Sequence, residues 1–150
     1  MSGFCRRGPE IDLDLPEEEL GLLVLALPLL AGVSPDDPAD PAARRLCYRA
    51  HAGDEEAEAR FRELTAGSLE ADRAADRQRF ASSLQRGTLG PEDAASWLRV
   101  LSEARLALAA RLGLGRERGE GLPARGGAAA LAHLFGCVQD ELVGMLLTGP

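Results

Sequence analysis

The sequence predicts an all-α protein: a bundle of about five helices, with a short β-hairpin at its N-terminus. Three observations carry this. Apolar residues make up 45% of the 150 residues but aromatic ones only 4%, so the core is built mainly from Leu, Ala and Val. Leu and Ala favour helix, and β-branched residues are too few for a large sheet. Long stretches place apolar residues at helical spacing between Gly- and Pro-rich breaks. The length fits one domain with one core, covering residues 1–150.

The elements follow in order. In segment 1–15, Ile11, Leu13 and Leu15 alternate with Glu10, Asp12 and Asp14, a short strand signal, and Gly8-Pro9 supplies a turn before it. The first helix is expected from Pro16, with Glu17, Glu18 and Glu19 at the positive end of its dipole, and to run on through LGLLVLALPLLAG. Its apolar residues wrap nearly all the way round, which suits a central core helix or one shared between core and interface. Residues 34–41, with three prolines, read as a linker. A short helix is expected over Ala42–Ala52, and Asp54 caps the next. In that helix Ala57, Phe61 and Leu64 follow at helical spacing, and Thr65–Ser68 breaks or kinks it. A second stretch then runs to Gln85 with Leu69, Ala75, Phe80 and Leu84 inward, while Asp72, Arg73, Asp76 and Arg77 form a solvated face. Gly90-Pro91 opens the clearest helix, whose stripe is Ala94, Trp97, Leu98, Leu101, Ala104, Leu108 and Leu112. Residues 113–127 read as a mobile Gly-rich loop. The last helix, Ala128–Leu147, puts Leu131, Leu134, Phe135, Val138, Leu142 and Met145 on one face.

Charge is unevenly placed. Residues 1–40 hold nine acids against two arginines and carry the whole net charge of −7, while the remainder is neutral. All 17 basic residues are Arg, with no Lys or Asn in the chain, a pattern of coding bias in a GC-rich genome rather than of phosphate binding. An acidic entry segment on an Arg-rich neutral body neither supports DNA binding nor excludes a local basic face. Arg99 and Arg105 flank Trp97 and Leu101, but Glu103 interrupts the basic face that a recognition helix needs. The apolar run Leu20–Val33 is shorter than the roughly 20 residues of a membrane span and is interrupted by Pro28. Acids and Pro9 separate that run from Arg7, unlike a signal peptide. Three cysteines make an odd number and argue against a secreted disulfide framework. The expectation is a cytoplasmic protein with free thiols and no membrane association.

No catalytic constellation stands out. There is no GxSxG, no P-loop and no carboxylate pair singled out by spacing, so a non-enzyme without cofactor is expected. Two other features carry chemistry. Cys47 and His51 lie at i, i+4, and so do His133 and Cys137. On helices each pair shares a face, and two such pairs make a Cys2His2 zinc set. The plainer reading has both cysteines as small buried residues and both histidines at helix edges. Cys5 is next to Arg6 and Arg7, which favour a thiolate, but Glu10, Asp12 and Asp14 oppose them. An exposed thiolate oxidises to sulfenic acid and on to disulfide, whereas an exposed thiol without a role is the alternative.

The segments DPAARRLCYRAHAGDEEAEARFRELT, LEADRAADRQRF, EDAASWLRVLSEARLALAARLGL and LAHLFGCVQDELVGMLL, together with the Leu20–Leu30 helix, resemble an actinobacterial family. It is the domain-of-unknown-function family 2017, also labelled oxidative-stress regulator AosR-like. The resemblance implies a helical cytosolic, redox-responsive transcription regulator that acts with a protein partner, a sigma factor or RNA polymerase. It also implies a redox role for a Cys-x-x-x-Cys near the N-terminus. Cys5 matches its first position, and Pro9 stands at the second. A local disulfide is thus ruled out, leaving a bridge from Cys5 to Cys47 or Cys137, or between two chains. The all-round apolar Leu20–Leu30 helix adds the expectation of a homodimer.

Overall fold

The computed structural model of the chain describes residues 3–34, 36–37, 39–47, 53–113 and 126–149. The bundle and the N-terminal hairpin are both present. Strands β1 (Phe4–Arg7) and β2 (Glu10–Leu13) are antiparallel, with Phe4 opposite Leu13 and Cys5 opposite Asp12. Gly8 holds φ at +64°, the left-handed conformation that the tight turn requires. A third strand, β3 (Thr88–Leu89), pairs with β2 and makes a sheet of order β1-β2-β3. Its two residues are too short to show a periodicity in the sequence.

The expected first helix is two. Helix α1 (Glu17–Val24) ends where Pro28 begins to act, since the proline ring conflicts with the carbonyl four residues back. Leu25 is the joint, and α2 (Ala26–Ala31) continues from it. In the linker the Asp37 carboxylate accepts the Ala39 N–H, and Asp40 caps α3 (Pro41–Leu46) by accepting the Ala42 N–H at 3.0 Å. Helix α3 therefore ends well before Ala52. Residues 48–52 of the expected helix lie outside the described residues.

Asp54 caps α4 (Glu55–Arg86) as expected, accepting the Ala57 N–H at 3.1 Å. Of the break or kink expected at Thr65–Ser68, the break is absent. One glycine among good helix formers costs about 1 kcal/mol, too little to interrupt a helix anchored at both ends. The continuous helix turns Leu69 outward, against expectation, and Leu64 is 84% exposed. Gly87, at φ +83°, ends α4. Helix α5 (Pro91–Leu112) opens with the Asp93 carboxylate accepting the Gly90 N–H at 2.9 Å, and Gly113 closes it. Within the expected mobile loop, residues 114–125 lie outside the described residues. Helix α6 (Gly126–Thr148) starts two residues before the expected Ala128.

Helix α5 is the centre of the bundle and packs against α2, α3, α4 and α6. Ala94, Trp97, Leu101 and Ala104 of its stripe are fully buried. Trp97 packs edge-on to Phe4 and against Phe80 at a centroid distance of 4.7 Å, tying β1, α4 and α5 together. Its indole N–H donates to the Ser83 hydroxyl at 2.8 Å, and that hydroxyl donates to the Arg79 carbonyl. From α6, Phe135, Val138 and Leu142 enter the same core. By length and composition α6 is the one helix among the described residues apolar enough to cross a membrane, with a mean hydropathy of 1.3. Phe135, Val138 and Leu142 are its buried residues, and Asp140 and Glu141 interrupt its apolar sequence.

Candidate functional site

Cys5 lies on β1, with its side chain exposed. Strand residues alternate between faces. Phe4 faces the core, and Arg6, on the same face, reaches the Met145 carbonyl near the end of α6. Cys5 therefore points away from α6, beside the cross-strand Asp12. Of the two arginines that motivated its reactivity, Arg6 reaches Met145 on the opposite face, and Arg7 is paired with the neighbouring Asp12 carboxylate at 2.8 Å. Pro9 sits in the hairpin turn.

The four residues of the expected zinc set divide. Cys47 is the half-buried C-cap of α3. His51 lies outside the described residues. His133 and Cys137 are on α6, one turn apart, with Nε2 and Sγ at 3.4 Å. Both are exposed, so the plainer reading of Cys137 as a buried residue is corrected. No group of three or more metal-ligating side chains occurs among the described residues.

His133 and Cys137 open onto a cleft of about 660 Å³ between α6 and the segment that leads from β2 into α1. Leu15 and Pro16 form its apolar wall, and Asp14, Glu19 and Glu141 supply carboxylates. Glu141 follows Cys137 by one turn on the same face of α6 and accepts the Gly3 N–H at 2.7 Å. A Cβ at Gly3 would meet the Leu15 side chain, which would have to shift to admit it. The N-terminal strand is thus pinned to α6 at both ends, by Gly3 and by Arg6.

The α1–α2 surface is the second feature. Leu23, Ala26 and Leu30 are buried, while Leu22, Val24 and Leu25 are each more than two-fifths exposed. The helix pair is therefore half core and half free apolar face, one of the two arrangements its all-round pattern allows. Glu17 and Glu18 border that face. On α5, Arg99 and Arg105 are turned to protein partners, Asp76 and Gln139 respectively, while Trp97 and Leu101 are core residues.

Asp76 corrects a further expectation. It is buried, not part of a solvated face. It accepts the Ser96 hydroxyl at 2.9 Å and a bidentate pair from the Arg99 guanidinium at 2.8 and 2.7 Å. The Arg99 hydrogen bonds, joined by that of Ser96, hold its carboxyl below the ordinary value against the opposing effect of burial. Its spacing from Phe80, one turn, was the available signal. At the surface, Arg111 makes a like pair with Asp40 and holds that carboxyl down too, fastening the linker to the end of α5.

Among the described residues the fold presents exposed thiols, an acidic cleft and apolar residues left exposed on α1–α2 and, as Val143, Leu146 and Leu147, at the end of α6. The chain belongs to the domain-of-unknown-function family 2017, whose family model matches residues 1–146. No curated protein and no solved structure matches it.

Proposed function

We propose that this chain is a non-enzymatic cytoplasmic regulator that acts by binding a protein partner, in the manner of an actinobacterial redox-responsive transcription regulator. The partner is a sigma factor or an RNA polymerase subunit. The observation that carries this reading is the exposed face of Leu22, Val24 and Leu25 on a helix pair whose other face builds the core. Such a face, bordered by Glu17 and Glu18, suits an apolar partner surface with a basic rim. In the redox part of the reading Cys5 works between two chains. It is exposed, Pro9 replaces a local partner, and it points away from the α6 side that bears Cys137.

The test is capture from a native lysate with the wild-type chain and with the double variant Leu22→Glu, Leu25→Glu. Both positions are exposed, so the variant folds, as circular dichroism checks. Retention of a sigma factor or polymerase subunit by the wild type alone is the expected outcome. Equal capture by both chains, or none by either, contradicts it. The same face supports a second reading, a homodimer through Leu20–Leu30. A dimer by light scattering at micromolar concentration that dissociates in the double variant favours this second reading, in which the face is occupied by another copy. Peroxide treatment and non-reducing electrophoresis address Cys5: a dimer linked through Cys5, lost in Cys5→Ser, is expected.

A further inference from the structure

The pair on α6 has a geometry that the regulatory reading does not use. Cys137 and His133 stand one helical turn apart, Sγ at 3.4 Å from Nε2, at the mouth of a cleft of about 660 Å³. A thiol reacts as its thiolate, and a neighbouring imidazole that takes the proton is the ordinary means of forming one. In the Nδ1–H tautomer, Nε2 faces Sγ with its lone pair free. The cleft adds a charge filter. Asp14, Glu19 and Glu141 line it, while Arg105, hydrogen-bonded to Gln139, lies outside that lining against Gly136 and on the other side of His133. A cleft lined by one sign of charge concentrates that field and disfavours anionic reagents.

We propose that Cys137 is a covalent modification site for small uncharged electrophiles, hydroperoxides among them, with His133 as its proton acceptor. With a hydroperoxide, the Sγ–H proton passes to His133 Nε2 and the thiolate attacks the outer peroxide oxygen. The S–O bond forms and the O–O bond breaks. The leaving hydroxide or alkoxide takes the proton back from His133, giving water or an alcohol. Sulfur loses two electrons to the peroxide and becomes a sulfenic acid. Anionic oxidants such as glutathione disulfide are disfavoured by the three carboxylates. This inference stands apart from partner binding, and its test needs no partner.

The experiment is timed alkylation of the intact protein with iodoacetamide, which is neutral, and with iodoacetate, its anionic counterpart. Peptide mass mapping then gives separate rates for Cys5, Cys47 and Cys137. Cys5 and Cys137 are both exposed, so their rates compare chemistry rather than access. Each reagent forms an S–C bond and expels iodide, so the two differ only in charge. His133→Ala is expected to slow iodoacetamide at Cys137 by about tenfold while leaving Cys5 unchanged. His133 is exposed, so the variant keeps the fold. The preference for iodoacetamide over iodoacetate is expected to be larger at Cys137 than at Cys5 in low salt, and to narrow as salt is raised. A Cys137 rate that His133→Ala leaves unchanged overturns the assignment of His133. A reagent preference equal at the two cysteines overturns the charge filter. A Cys137 that hydrogen peroxide leaves reduced, with dimedone as the sulfenic acid trap, overturns hydroperoxides as its electrophile.

Discussion

Ser83 shows how much a single hydroxyl does in a core with few aromatics. It accepts the Trp97 indole N–H at 2.8 Å and is itself fully buried. Replacing it by Ala leaves that N–H without an acceptor in a dry site, and the expected cost is about 1–3 kcal/mol by urea denaturation. Asp76 carries a pH signature. Its folded carboxyl lies below the ordinary value because of Arg99 and Ser96. Its contribution to stability is therefore fully present above the unfolded carboxylate range and is lost as pH falls through the folded value. The urea midpoint of the wild type should fall more steeply below about pH 5 than that of Asp76→Asn, which has no proton to gain. The Trp97 stripe was legible from helical spacing alone. The burial of Asp76 was not, because a charged residue beside Asp72, Arg73 and Arg77 looks like part of a solvated surface until Ser96 and Arg99 are placed opposite it.

The elements were legible where periodicity was long and punctuation strong. Gly90-Pro91 and Gly113 bound α5 as expected, and the hairpin turn sits at Gly8-Pro9. Two boundaries were missed for opposite reasons. Pro28 divides α1 from α2 because its ring forbids the preceding turn, although apolar residues continue without interruption. Thr65–Ser68 looked like a break, yet α4 passes through it, because local propensity is weaker than a helix held by Asp54 at one end and by packing on α5 at the other. Gly67 tests this. A Cβ there meets nothing within 4 Å, so Gly67→Ala is tolerated sterically. In a continuous helix it is expected to add about 0.5–1 kcal/mol of local stability, read as greater amide hydrogen-exchange protection across residues 62–72. Unchanged protection would mean that these residues are not helical in solution. β3 escaped notice because two residues carry no pattern, and only its pairing with Ile11 and Asp12 defines it.

At the scale of the whole molecule, net charge is segregated, while exposed apolar residues occur on α4, α5 and the end of α6 as well as on α1–α2. The acidic excess is confined to residues 1–40, where α1 and α2 also expose Leu22, Val24 and Leu25, and the rest of the chain is neutral. This polarity was visible in the sequence, as was the existence of an amphipathic problem in Leu20–Leu30. Which side of that helix is free was not visible, since an all-round apolar pattern has no preferred face. The two thiols with exposed side chains also occupy different faces: Cys5 on the outer side of the hairpin, Cys137 in the cleft beneath it. The cleft was unreadable from sequence because Asp14 and Glu19 meet Cys137 and Glu141 only through the docking of β1 on α6.

The central claim is that the free α1–α2 face holds a transcription partner, and comparative capture from native lysate tests it most directly. The expected result is a sigma factor or RNA polymerase subunit retained by the wild-type chain and lost with Leu22→Glu, Leu25→Glu, while both chains show the same helix content. The contradicting result is a well-folded double variant that captures the same proteins as the wild type, or a wild type that captures no such subunit at all.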